Sequence, residues 1–312
     1  MITTNFPSLV EPLSWPELTA KDIGADILRL DKLHPVVSGN KWFKLKGYLQ
    51  EAAGAPILTF GGAWSNHLIA TAYAARQTGL PSIGIVRGER PPMLSPTLDA
   101  ATAFGMHLEF ISRKEYAEKG KPDFVRRLAH RYPGAYIIPE GGAGITGIRG
   151  SEDILRSIDA EKYTHILCAV GTGTTWLGLV RASLRGQEVI GIPVLKGMDD
   201  PGTIERSALQ YSALADSASD TLLTPDQRQR CRLLTGYHFG GYARHPQALL
   251  NFMNKFYHET GVPSDIVYTG KLFYAVQEAA IRDLFPAHSR LLIIHSGGLQ
   301  GNRSLAPGIL DF

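Results

Sequence analysis

Short runs rich in β-branched residues alternate with longer amphipathic stretches along most of this chain, and that alternation admits few folds. Residues 56–60, 82–86, 106–111 and 135–138 read as strands, with helical patterns between them at 65–78, 95–104 and 114–130. The series resumes with strands predicted at 165–170, 188–193 and 291–295, and helices near 174–184, 246–260 and 270–284. A strand, a crossover helix and a further strand make the βαβ unit, which builds a parallel sheet covered by helices. The chain is therefore expected to be α/β. The stretch Glu140-Gly141-Gly142-Ala143-Gly144-Ile145-Thr146-Gly147 separates the two series like a hinge. Neither an internal repeat nor a low-complexity segment interrupts them.

A chain of 312 residues is long enough for about two domains at ~150 residues each. Hydrophobic residues make up 44% and charged residues 20%, so a packed core is expected and disorder is not. The net charge of +3 is spread thinly, and its longest basic cluster, Lys114 to Arg131, falls on a predicted helix. That excludes a nucleic-acid footprint. Cys168 and Cys231 are too few for a metal knuckle or a disulfide framework, which predicts no metal and a reducing, cytoplasmic setting. The start Met1-Ile2-Thr3-Thr4-Asn5-Phe6-Pro7 lacks the charged and apolar regions of a leader. No apolar run approaches ~18 residues, so no membrane span is expected.

Four glycine-punctuated segments carry the chemistry. In Ser38-Gly39-Asn40-Lys41-Trp42-Phe43-Lys44-Leu45-Lys46, Asn40 is a favoured N-cap and Lys41 enters the first helical turn. Partial positive charge there disfavours an ammonium, and burial would push the same way, toward the neutral amine that condenses with an aldehyde. A solvated surface lysine is the plain alternative. The run Ala169-Val170-Gly171-Thr172-Gly173-Thr174-Thr175-Trp176 takes a strand through a Gly/Thr turn into a helix, a geometry suited to a phosphate. It is not a Walker A loop, and Trp176 stands where a dinucleotide fingerprint has its third glycine. A tight turn with a capped helix fits it equally. In Phe60-Gly61-Gly62-Ala63-Trp64-Ser65-Asn66-His67, Ser65 or Asn66 is either a helix cap or part of a polar rim for a carboxylate or ring hydroxyl. His67 is by itself a helix-surface histidine. Tyr268-Thr269-Gly270-Lys271 and Ile294-His295-Ser296-Gly297-Gly298 place small hydroxyls where a planar heterocycle, or only a turn, would fit.

Taken in order, Ser-Gly-Asn-Lys-x-x-Lys-Leu at 38–45, Gly-Gly-x-x-Ser-Asn-His at 61–67, Gly-Thr-Gly-Thr-Thr at 171–175 and Tyr-Thr-Gly-Lys at 268–271 resemble the 1-aminocyclopropane-1-carboxylate (ACC) deaminase and D-cysteine desulfhydrase family. Those are pyridoxal-phosphate enzymes of the tryptophan-synthase-β-like group, fold type II. The resemblance covers nearly the whole chain. It implies two three-layer α/β/α domains with mainly parallel sheets and the cofactor, pyridoxal 5'-phosphate, in the cleft between them. Residues 1–45 and 147–312 would form the large cofactor-binding domain and 46–146 a small inserted one. Lys41 would hold the cofactor through its amine, with Lys44 one turn on as a helper. Asn66 would meet the ring hydroxyl, while Gly171, Thr172, Gly173, Thr174 and Thr175 would cup the phosphate. Ser65, Asn66, His67, Tyr242 and Tyr268 would line the substrate pocket, with Lys41, Ser65 and Tyr268 catalytic. A homodimer acting on a small amino acid is implied.

The departures bear on the substrate. ACC deaminases carry Tyr-Glu-Gly-Lys and a leucine before the late glycine pair, whereas Thr269 and Ser296 occupy those positions here. Neutral hydroxyls beside the ring nitrogen would make the cofactor a weaker electron sink, which suits β-elimination better than opening a cyclopropane. A D-cysteine desulfhydrase-like lyase releasing keto acid, ammonia and sulfide is therefore ranked first and ACC deaminase second. The loop Gly236-Tyr237-His238-Phe239-Gly240-Gly241 matches neither pattern, so a third small amino acid stays open. Two other classes are a nicotinamide-dependent oxidoreductase, for which Glu188 is the poorly placed ribose ligand, and a non-catalytic pyridoxal-phosphate-binding protein.

Overall fold

The computed structural model describes residues 6–212 and 222–312. Its larger sheet runs β1 (Val10–Pro12), β2 (Gly24–Arg29), β10 (Arg290–His295), β7 (His165–Val170), β8 (Glu188–Pro193) and β9 (Cys231–Leu233). Neighbours are parallel except β1 against β2. The smaller sheet, β5 (Met106–Ile111), β4 (Ser82–Arg87), β3 (Ile57–Gly61) and β6 (Tyr136–Ile137), is parallel throughout. The α-helices are α1 (Pro16–Thr19), α2 (Lys41–Ala52), α3 (Asn66–Gln77), α4 (Pro96–Ala103), α5 (Arg113–Tyr116) and α6 (Pro122–Arg131). They continue as α7 (Ile145–Arg156), α8 (Thr174–Ala182), α9 (Pro201–Ser212), α10 (Pro225–Gln229), α11 (Gln247–Thr260) and α12 (Thr269–Ile281).

The inner strands β3, β7, β8 and β10 are buried on two faces, which is why they read as largely apolar runs. Along β10, Leu291 and Ile293 pack with Phe256 and Phe273 of α11 and α12. Their neighbours Leu292 and Ile294 point the other way, against Ile148, Trp176 and Val180 of α7 and α8. In the smaller sheet, Leu58, Phe60 and Ile85 meet Phe124 and Leu128 of α6, while Val86 and Met106 meet Leu68 and Leu98. Each sheet is thus the middle of three layers.

Several predicted elements change. The helix expected over 114–130 is two, α5 and α6, because Pro122 holds Lys121 extended at φ −87° and ψ 139°. The stretch read as a hinge leads directly into α7. Its two internal glycines lower helix propensity, but they let α7 lie against α2: a Cβ at Gly150 would sit 2.3 Å from the Phe43 carbonyl oxygen. Strand β2 was not foreseen at all, and it pairs with β10 from Gly24↔Arg290 to His295↔Arg29. That register sets the turn after β2 against the turn after β10. Gly39, at φ 71°, passes so close that a Cβ would lie 1.8 Å from the Ser296 carbonyl oxygen. Lys41 is thereby brought beside Ser296.

Candidate active site

A cavity of about 260 Å³ opens where the C-terminal ends of strands from both sheets converge, the place where parallel α/β sheets gather ligands. Ser65, Asn66 and His67 follow β3, the Gly171 to Thr175 turn follows β7, and Ser296 follows β10. Lys41, Lys44, Tyr242 and Tyr268 share the same walls.

Lys41 is the first residue of α2, and its Nζ donates to Asn40 Oδ1 at 3.0 Å. Asn40 stands at the N-cap position but makes no capping bond; its Nδ2 donates instead to Thr175 Oγ1 at 2.8 Å. The expected cap is therefore a bridge from Lys41 to the glycine-threonine turn. Burial lowers the Lys41 pKa to about 8, against the opposing charge of Asp265. Lys44 lies one turn on and is 4% exposed, with a 3.4 Å bond to the Gly141 carbonyl. Burial first, and then the Lys41 charge, hold it well below the usual lysine range.

Ser65 is both cap and lining residue, since its Oγ accepts the Leu68 N–H at 3.3 Å while it faces the cavity. His67 is 2% exposed, not a surface residue. The Thr59 hydroxyl donates to the Ile138 carbonyl at 2.9 Å, so His67 Nε2, 2.9 Å away, must donate to Thr59. The Nδ1 lone pair is then a bare acceptor, buried without a partner, as is Asn66 Oδ1. Burial, followed by the charges of Lys41 and Lys44, keeps this imidazole well below the ordinary histidine range and hence neutral.

In the glycine-threonine turn, Gly171, Thr172, Gly173 and Thr175 line the cavity and α8 begins at Thr174. The Thr174 hydroxyl is fully buried and 2.9 Å from Thr172 Oγ1, so it sits behind the turn and reaches the cavity only through Thr172. Thr269 is likewise displaced from the role expected of it. Its hydroxyl donates to Asp265 Oδ1 at 2.7 Å and accepts the Asp265 N–H at 2.7 Å, and it does not line the cavity. Asp265 also accepts the N–H groups of Val267, Tyr268 and Thr269 at 2.8–2.9 Å. It caps α12 and fixes Tyr268 at its start. Burial holds the phenol of Tyr268 well above its normal range, and partial desolvation raises that of Tyr242, a residue 46% exposed, so both are proton donors.

Asp265, Arg87 and Glu140 escaped the sequence reading. Arg87 ends β4 and lines the cavity, a position the strand-end rule could have flagged. Glu140 lines it too, held by the Tyr116 hydroxyl at 2.8 Å and Lys119 at 3.2 Å. Asp265 had a readable signal, since the N–H groups it serves lie two to four residues ahead, the reach of an Asx turn before a helix start. Glu188 pairs with Arg232 at 2.8 Å and lies outside the cavity, which removes the ribose ligand of the oxidoreductase reading. Among the described residues no His, Cys, Asp or Glu cluster of three could hold a metal, and no helix is long and apolar enough to cross a membrane.

Fold and site together define an α/β enzyme that presents a buried, easily neutralised amine beside a glycine-rich turn at a helix N-terminus. The chain belongs to the family of pyridoxal-phosphate dependent enzymes, matching it over residues 12–297. A Pyrococcus abyssi protein provisionally named 1-aminocyclopropane-1-carboxylate deaminase is 27% identical over 303 residues, covering 93% of this chain and 89% of its own. The mitochondrial bifunctional D-cysteine desulfhydrase/1-aminocyclopropane-1-carboxylate deaminase of Arabidopsis thaliana is 28% identical, covering 85% and 70%. The crystal structure of an ACC deaminase homologue shares the fold, with a TM-score of 0.76, 24% identity and coverage of 94% and 90%. The residues present fit the cofactor. Asn66 Oδ1 and His67 Nδ1 are buried without partners on one wall, and Lys41 offers a low-pKa amine on another.

Proposed function

We propose that the protein is a lyase and deaminase of small amino acids that eliminates a β-substituent, with D-cysteine ranked ahead of ACC. One observation carries the ranking: the Ser296 hydroxyl lines the cavity beside Gly297, while the Asp265 carboxylate is set back behind Gly298 and does not line it. Asp265 is enclosed by its own donors, and Glu140 is tied to Lys119 and Tyr116. Pyridoxal phosphate, when bound, supplies an electrophilic aldehyde and a ring that draws electrons from the substrate α-carbon. A hydroxyl in place of a carboxylate at the ring nitrogen would weaken that pull, which favours a substrate whose leaving group departs promptly.

Lys41 would hold the group, with Lys44 beside it. Gly171, Thr172, Gly173 and Thr175 at the start of α8 would take its phosphate, and Asn66 and Ser296 would face its ring. Lys41, whose low-pKa amine lines the cavity, would also be the base that takes the substrate α-proton. Ser65 and the Asn66 amide N–H would bind the substrate carboxylate, and the bare Nδ1 of His67 beside them would accept from a donor of the bound molecule. The phenols of Tyr242 and Tyr268, both raised above the normal phenol range, would donate to the carboxylate or the departing sulfur. Water then releases ammonia and keto acid, with sulfide as the other product.

The same reading takes 46–146 as a small unit inserted between 1–45 and 147–312. The strands of the smaller sheet all fall within 57–137, whereas the larger sheet draws on both ends of the chain. A cytoplasmic setting is supported by the two free thiols, and a homodimer rests on the resemblance. The deciding experiment compares kcat/KM for D-cysteine and ACC by keto acid released. A higher value for D-cysteine is expected. A higher value for ACC would reverse the ranking, and turnover of neither would point to a third small amino acid.

A further inference from the structure

Lys271 takes no part in the site as described, yet its side chain is 0% exposed. It lies in the first turn of α12, three residues beyond Tyr268. Its Nζ donates to two carbonyls, His238 at 3.0 Å and Gly241 at 2.8 Å. Both belong to the segment between β9 and α11 that carries Tyr242 into the cavity wall. That segment has an unfavourable backbone. Phe239 and Ala243 are left-handed at φ 52° and 53°, on either side of Gly240 and Gly241 at 98° and 121°. Side-chain-bearing residues persist there only where the surroundings impose it.

The segment's internal bonds do not fasten it to the body of the protein. Gly241 N–H reaches the His238 carbonyl at 2.9 Å and Gly240 N–H reaches His238 Nδ1 at 2.9 Å, which only closes a local turn. Apolar packing of Tyr237, Phe239 and Ala243 on the larger core includes ring contacts of Phe239 and Tyr237 with Tyr274 of α12 at 5.0 and 6.4 Å, and the hydrogen-bonded tie to α12 is the Lys271 ammonium. Residues 271 and 274 lie on one helix face, so both hold the same strip of the loop. Burial is unfavourable for this ammonium, lowering its pKa to about 8 against the charge of Asp265. An apolar side chain of like length would avoid that penalty but could not donate to two carbonyls.

We propose that Lys271 is a positioning residue that fixes Tyr242 at the cavity, so that α12 sets both tyrosines. Tyr268 is set by the helix N-terminus itself and Tyr242 by the ammonium one turn further on. In its kinetic arm this rests on the amino-acid reading above; its structural arm does not. The test uses holoenzyme carrying Lys271→Met, Lys271→Arg, Tyr242→Ala and the Lys271→Met/Tyr242→Ala pair, read by chymotryptic cleavage within 237–242 and by KM and kcat. Lys271→Met is expected to be cleaved there about tenfold faster and to raise KM about tenfold with kcat within about threefold, as loss of a charged donor pair implies. Lys271→Arg should recover most of both effects. In the Tyr242→Ala background Lys271→Met should add less than about twofold to KM, the signature of action through that tyrosine. Unchanged cleavage, or an equal KM effect without Tyr242, would overturn the proposal. Should Lys271→Met not fold, Lys271→Gln carries the same test, and failure of both to fold would assign Lys271 to global stability and overturn it as well. If neither D-cysteine nor ACC is turned over, the functional reading fails while cleavage still decides the latch.

Discussion

On the α3 wall of the cavity, Asn66 Oδ1 and His67 Nδ1 are buried with no partner, whereas on the α12 wall each oxygen of Asp265 accepts two bonds. Unmade bonds are costly to a fold, and a protein tolerates them where a ligand completes them. Saturated ones make a rigid template. One wall is therefore built to receive, and the opposite wall to hold Tyr268 in place. Lys41 belongs to neither pattern: it has one neutral partner, Asn40, and a pKa near 8, which leaves its amine available.

Replacing the amine should produce the largest effect. Lys41→Ala is expected to lower turnover by about a thousandfold or more and to abolish borohydride-stable attachment of the cofactor, read by peptide mapping. Label retained elsewhere, on Lys44 for instance, would move the reactive amine. Next in size is the saturated wall. Asp265→Ala leaves four donors without their acceptor and should destabilise the protein by about 2–4 kcal/mol, measured by urea unfolding. A change under about 0.5 kcal/mol would mean that water replaces the carboxylate and that the wall is not the template described.

The receiving wall should behave the opposite way. Asn66→Ala removes an oxygen that bonds to nothing, so stability should shift by less than about 0.5 kcal/mol while cofactor affinity falls about tenfold or more. Destabilisation without loss of affinity would erase the contrast between the walls. A finer contrast lies within one turn: Thr175→Val should loosen cofactor retention several-fold more than Thr174→Val, because Thr175 lines the cavity and Thr174 does not. The smallest effect is one of pH. With Lys41 titrating at about 8, its free amine grows about tenfold per unit as pH rises toward that value and levels above it. Reloading of cofactor-stripped protein should follow that curve. A rate flat between about pH 6 and 8 would place the controlling group elsewhere.

Sequence alone determined the elements whose cause is local. Strands 165–170 and 188–193 were read to the residue because parallel strands buried on both faces are short, apolar and bounded by turn residues, and the edge strand 106–111, with His107 exposed, because it too is a short run bounded by turn residues. The strand–glycine–helix passages at 61–67 and 171–175 were legible for a similar reason, since a tight turn needs glycine and a helix start needs a small polar residue. The amine of Lys41 was located by its place at a helix start, although the cause of its low pKa is burial, which no local pattern displays. Only the tertiary structure decided how side chains with more than one possible partner were used. Asn40 abandons its cap for Thr175, 135 residues away. Lys271 reaches 30 residues back to Gly241. Strand β2 likewise became a strand through β10, more than two hundred residues on, whose open edge it completes. Hydrogen bonds and electrostatic fields depend on distance in space, and for these residues folding brings together groups that the order of the chain keeps apart.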